Sequence, residues 1–258
     1  MGYSQRQIEH FSREQRSIVE RLEWLTLEFV RAAESVDSKK AKEHLTHGAG
    51  RRTAVIRRAL QNVFTAFPLD ATRPLTKSAL TDTQINLHAF LANLYGVFDN
   101  CAWGFVYRHN LTRFIADRRM VGMFNSALIR HLPEPLGDYV EKTRDWFNDY
   151  LKDYRDALAH RIPLYIPPAE FSPQDGERFK ALEEEKIECL RRRAFERINE
   201  INNEQNSMGR PSFMFLHSYS DDDNSSRPLI IHPQMLSDAL TLLDFSEVFI
   251  AHWDGCRT

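Results

Sequence analysis

Residues 85–107, INLHAFLANLYGVFDNCAWGFVY, form the longest apolar run in the chain. A helix needs about 20 apolar residues to cross a bilayer, so the length alone would allow a span. The interruptions argue against it. Asn86, His88, Asn93, Asp99 and Asn100 would each turn a polar or charged group toward lipid. The run therefore predicts a buried central helix over about 80–108, with no membrane partner. A helix that is apolar on most of its faces must be wrapped by others.

The flanking sequence supplies them. Residues 12–36 carry Ile18, Leu22, Leu25, Phe29 and Val30 at spacings of three and four, the helical period. A hydrophilic break, SVDSKKAKEHLTHGAG, precedes a second helix over about 51–66. FPLDATRPL reads as a proline-punctuated loop, and a shorter helix is expected over about 113–131. PEPLGDYVEKTRDWFNDYLKDYRDALAHR then aligns Leu136, Val140, Thr143, Phe147, Tyr150 or Leu151, Tyr154 and Leu158 in one stripe. IPLYIPPAEFSP cannot continue that helix, because Pro163, Pro167 and Pro168 each remove a donor and restrict the preceding residue.

One charged helix is expected over 174–205, burying Leu182, Ile187 or Leu190, Ala194 and Ile198. SFMFLHSYS and RPLIIHP alternate well enough for a β-hairpin with DDDNSS as its solvated turn. A last helix covers about 233–252. The expected fold is thus mainly α, a bundle of long antiparallel helices with a small β-hairpin near residues 212–231. It reads as one domain over 1–258, with a core of about 80–165 and a C-terminal elaboration over 170–258. That elaboration is either an insertion covering the core or a separate docking surface.

Composition narrows the function classes. The net charge of −2 gives the whole molecule no electrostatic case for nucleic acid. Its 34 basic residues are mostly arginine, however, with doublets at Arg51/Arg52, Arg57/Arg58 and Arg118/Arg119 and a triplet at Arg191–Arg193. Arginine meets phosphate as a planar fork, although solvated helix faces explain such runs equally well. The three cysteines are odd in number and far apart, which argues against a disulfide framework and for a reducing cytoplasm. The amino terminus is polar from the start and lacks the apolar core of a secretory signal.

The segment YRDALAHR, 154–161, holds the chemistry. Arg155 and His160 lie about 140° apart around an ideal helix, whereas Asp156 and His160 share a face, as do Asp149 and Asp153. A carboxylate beside an imidazole fixes its tautomer. The same residues also suit a plain helix terminus, since Arg and His in a last turn complement the helix dipole by roughly 0.3–1 kcal/mol.

Arginine, then a polar residue, then histidine at the end of a packed helix resembles the HEPN superfamily, whose pattern is R-x4–6-H. Arg210/His217 and Arg227/His232 also satisfy the spacing, about what chance supplies at this composition. Only Arg155/His160 lies on a strongly periodic helix with a polar second residue. The resemblance covers roughly residues 80–165. It implies a small helical bundle that cuts RNA without a metal or other cofactor, in a cleft between the two copies of a homodimer. His160 would then transfer a proton at the 2′-hydroxyl or the leaving oxygen, Arg155 would stabilise charge on phosphorus, and Asp156 would orient His160. Toxin–antitoxin or defence settings, with an antitoxin or other protein partner, are also implied. Asp156 departs from the asparagine common at that place and adds negative charge where a phosphate must approach. HEPN domains also serve as non-catalytic binding modules for RNA, nucleotide or protein, which leaves a second expectation open.

Other constellations are weaker. His44 and His47 stand three apart with no third ligand at useful spacing, so no metal is expected. His109 and His131 read as solvated helix ends and Cys101 as a core residue. Asn93, Asp99 and Asn100 must either be satisfied by neighbouring helices or border the cleft of Arg155 as substrate-binding groups. Tyr165 suits stacking on a base or packing on its own helix.

Overall fold

The computed structural model describes residues 2–115, 117–216 and 228–257. The fold is mainly α with a small β-hairpin, and α4 (Lys77–Arg108) is its axis. Thr76 caps α4 by accepting from the Ala79 N–H at 3.2 Å. Leu87, Phe90, Leu91, Leu94, Val97, Phe98, Cys101 and Phe105 are fully or almost fully buried, so the helix is covered on most of its circumference. Among the described residues, no helix is long and apolar enough to cross a membrane.

Three elements enclose one flank of α4. α1 (Gln5–Glu34) starts earlier than its apolar stripe suggests, because Ser4 and Gln7 form a reciprocal capping box. α2 (Lys39–Glu43) runs without interruption through a π-helical turn, His44–Gly50, into α3 (Arg51–Ala66). The expected hydrophilic break is thus confined to the few residues before Lys39. Within the helical part of that stretch, Gly48 serves close packing. A Cβ on Gly48 would sit 1.9 Å from the Asn100 Oδ1 of α4. α10 (Ile231–His252) packs against α1 and α4.

The expected helix over 113–131 is not formed. Asn110, in the left-handed region at φ 55°, ends the α4 segment, and 3-10 turns at Leu111–Arg113 and Arg118–Met120 lead to a single helical turn, α5 (Ser126–Ile129). Asp117 and Asn125 accept from the backbone N–H groups of Arg119 and Ala127, closing these turns locally at the expense of a continuous helix.

The motif-bearing helix is continuous, as its period predicts. It comprises α6 (Glu134–Trp146), a π turn (Phe147–Lys152) and α7 (Asp153–His160), and buries Leu136, Val140, Phe147, Leu151, Tyr154 and Ala157. The next segment is extended, with backbone bonds in both directions between Tyr165 and Leu216. Gln84 and His88 of α4 both donate to the Leu164 carbonyl, at 3.0 and 2.8 Å, and tie that segment to the axis.

The single helix expected over 174–205 is a hairpin of two, α8 (Pro173–Arg192) and α9 (Phe195–Asn206), joined through Arg193 at φ 56°. Its buried contacts are Leu182, Ile201 and Gln205, while Ile187 and Leu190 are 50% and 55% exposed, contrary to expectation. Arg197 of α9 bonds back to Glu185 of α8 at 2.7 Å, and Lys186 reaches Gln205 at 2.9 Å. These cross-links hold a reversal that no glycine or proline announces. β1 (Met214–Phe215) pairs antiparallel with β2 (Leu229–Ile230) in the register Met214↔Ile230. The DDDNSS turn, with His217 and Arg227 of the two other Arg–His pairs, lies outside the described residues.

Three polar side chains are buried on α10, His232, Asp238 and Ser246, and the first two are titratable. His232 donates from Nε2 to the Phe67 carbonyl at 2.8 Å and accepts at Nδ1 from the Tyr3 hydroxyl at 3.1 Å; burial pushes its imidazole down to about 4. Asp238 accepts from Gln234 at 2.8 Å and Trp146 at 3.4 Å, yet burial raises its carboxyl to about 7. Its contribution to stability is therefore full below the unfolded value of 3.8 and is lost as pH rises through about 7. Asp238→Asn keeps an oxygen for both donors and removes the buried charge. Its Tm should exceed wild type by about 5 °C or more at pH 8, with the gain vanishing at pH 4; thermal scans across that range measure it.

Candidate functional site

Burial of Phe147, Leu151 and Tyr154 on the core side fixes the rotation of α7 and delivers Arg155 to the surface of α4. Its guanidinium lies 4.3 Å from the centre of the Tyr95 ring, and Nη2 donates to the Tyr95 hydroxyl at 3.0 Å. Nη1 meets Asp156 Oδ1 at 2.9 Å. The buried Nε–H has no hydrogen-bond partner. Asp99 stands one helical turn beyond Tyr95. Burial raises its carboxyl to about 6, although Arg155 and Arg52 both act to lower it. Desolvation thus outweighs two neighbouring guanidinium charges and leaves a carboxyl that titrates near neutrality.

Arg52, Tyr95, Gly96, Asp99, Arg155 and Ala159 border an open hollow of about 410 Å³. On the other side of Arg155, a hollow of about 280 Å³ adds Arg119, Asn148 and Lys152. The guanidinium therefore borders two open depressions, with Arg52 in the lining of one and Arg119 and Lys152 in that of the other.

His160 is the last residue of α7 and is exposed. It makes no hydrogen bond or ion pair among the described residues, and so Asp156 does not orient it as expected. Asp156 turns instead to Arg155, the stronger partner at close range. Nor does the acidic row reach the histidine, because Asp153 pairs with Arg161. Arg155 and His160 remain on different flanks, as the helical period requires.

Of Asn93, Asp99 and Asn100, only Asp99 borders the hollows beside Arg155. Asn93 accepts from Arg52 Nη1 at 3.1 Å and donates to the Ala89 carbonyl. Asn100 donates to the Gly96 carbonyl and accepts from His44 Nδ1 at 3.2 Å. Both asparagines face a separate hollow against α2, the π turn and α3. Tyr165 is half-exposed, held in its backbone bridge, and lines neither hollow beside Arg155. His109 donates to the Trp253 carbonyl and His131 contacts the Arg257 carbonyl, so both are tied to the C-terminal segment and are not the solvated helix ends expected; burial lowers the His109 imidazole. Cys101 is buried in the core, where burial pushes its thiol well up. Among the described residues, no three His, Cys, Asp or Glu side chains converge as metal ligands.

Two side chains at the site have no forerunner among the motif residues. Tyr95 supplies both a ring and an acceptor for Arg155, and its spacing of four from Asp99 was the available signal. Arg52 crosses α4 at Gly96, where a Cβ would lie 2.5 Å from its guanidinium carbon. Its presence in an arginine doublet gave no hint of that approach. No protein-family model, curated protein or solved structure matches the chain.

Because Arg155 lowers the Asp99 carboxyl, its removal should raise that group further. A carbon-13 NMR titration should place Asp99 at about 6 in wild type and higher in Arg155→Ala. An unchanged midpoint would show that the two groups do not interact.

Proposed function

We propose that the chain is an HEPN-like, metal-independent endoribonuclease that completes its reaction centre across a two-fold homodimer. The observation that carries this reading is the contrast within α7. Arg155 is anchored at the mouth of an open cleft, while His160, five residues on, projects into solvent with no partner of its own. One helix end is then half a site. Two such ends, related by a two-fold axis, supply a guanidinium at the phosphate and an imidazole on either side of it.

In this mechanism one imidazole takes the proton of the 2′-hydroxyl, and O2′ attacks phosphorus. The bond to the 5′ oxygen breaks as the second imidazole protonates it. The products are a 2′,3′-cyclic phosphate and a 5′-hydroxyl. Arg155 stabilises charge on the phosphoryl oxygens, with Tyr95 fixing its plane. Two residues beyond His160, Ile162 is 66% exposed, an apolar side chain that a second copy could cover.

A second reading has its own support. Arg155 already meets Asp156 and lies in the field of Asp99, so part of its charge is engaged within one chain. That arrangement suits a binding module in which Arg155 is structural. RNA cleavage in excess EDTA distinguishes the two. Wild type should leave cyclic phosphate ends, and His160→Ala and Arg155→Ala should each lose about 100-fold or more in rate. His160 is exposed, so its variant should keep the circular dichroism of wild type. Equal cleavage by His160→Ala removes the catalytic reading, and inert wild type favours the binding module.

A further inference from the structure

A second concentration of positive charge facing a hollow lies away from the Arg–His motif. The π turn and its neighbours close a hollow of about 500 Å³ against α4, into which Lys40, His44, His47, Arg51 and Arg52 all face. Three permanent cations there meet one carboxylate, Glu43, in a chain whose overall charge is −2. Arg57, further along α3 and outside the hollow, meets Glu23 at 3.1 Å. Arg51 and His47 have no hydrogen bond or ion pair among the described residues, and Lys40 only overhangs the Tyr107 ring at 5.0 Å. Arg52 is bonded on this side to a neutral amide, which positions it, and Asp99 acts on its charge from the other side of α4.

The wall is built to hold this arrangement. Asn93 and Asn100, two turns apart on α4, commit their amide N–H groups to α4 carbonyls and turn their oxygens outward. One oxygen fixes Arg52, and the other fixes His44, whose ring also stacks on Tyr107 and Trp103. Glycine at 96 and 48 admits both contacts, since a Cβ would collide with Arg52 at the first and Asn100 at the second. The π turn brings His44, His47 and Arg51 to the same rim, and such turns recur at functional sites.

We propose that this hollow binds the phosphoryl end of a small phosphorylated metabolite. A carboxylate has two oxygens and would be satisfied by a single arginine fork, leaving most of these donors unused. A phosphoryl group, or two in series, presents oxygens in several directions and matches donors arriving from both rims. A single walled hollow of this size suits a small ligand rather than a polymer, which needs a track of successive phosphate contacts. The site does not rest on the RNA-cutting reading, because Arg155 and His160 line no part of it.

Titration calorimetry of the full chain with inorganic pyrophosphate at low salt tests the proposal. Saturable one-to-one binding is expected, weakened about tenfold or more in Arg51→Gln and in His47→Gln. Both positions are exposed, so these variants should fold as wild type. Arg58→Gln, an exposed arginine on α3 outside the hollow, should bind as wild type. No saturable binding, or equal weakening by Arg58→Gln, overturns the site. Displacement of pyrophosphate by a single-stranded RNA without terminal phosphates, at lower concentration than by pyrophosphate itself, overturns the small-ligand assignment.

Discussion

The structure depends on the burial of α4 between Leu87 and Val106. A helix so covered cannot satisfy polar side chains with water, and each one on it must find a partner on a neighbouring helix or open onto a hollow. Asn93 and Asn100 take the first course, pairing with Arg52 and His44. Asp99 takes the second, beside Arg155, and retains a carboxyl that titrates near neutrality because its surroundings are poorly hydrated. The positions of both hollows therefore follow from which polar residues interrupt one apolar run.

Close approach is the second consequence. Arg52 reaches across α4 because position 96 is glycine, and Asn100 rests on the backbone of the π turn because position 48 is glycine. Larger side chains at either place would push the α2–α3 rod outward and separate Arg52 from Asn93, or His44 from Asn100. The packing of backbones thus sets the geometry of the charges, as it does wherever functional side chains stand on rigid elements.

The long helices were legible in the sequence: the stripes of α1 and α6–α7 reappear as buried faces, and the long apolar run reappears as the covered α4. What failed were judgements made from single residue types. The polar stretch SVDSKKAKEHLTHGAG looked like a break, but from Lys39 onward it is helical, and Gly48 there admits Asn100. The stretch 111–129 has helix-forming content, but local caps at Asp117 and Asn125 divide it. The reversal at Arg193 depends on cross-links from residues many positions away, which no local window contains. At the site, the residues of the octapeptide were visible but their pairing was not. Helical spacing joined Asp156 to His160, whereas the folded chain joins it to Arg155, since an available guanidinium outcompetes an exposed imidazole.

Arg52 connects the two hollows. It lines both, fixed to Asn93 on one side and acting on the Asp99 carboxyl on the other. A cation shared in this way cannot favour two anions independently. An anion drawn to Arg52 from the side of the π turn would weaken its hold on ionised Asp99 and raise that carboxyl further above its ordinary range. By linkage, protonation of Asp99 would leave Arg52 freer to meet the anion. The two depressions are distinct in their linings but joined electrostatically through one side chain, and Gly96 is what allows that side chain to lie between them.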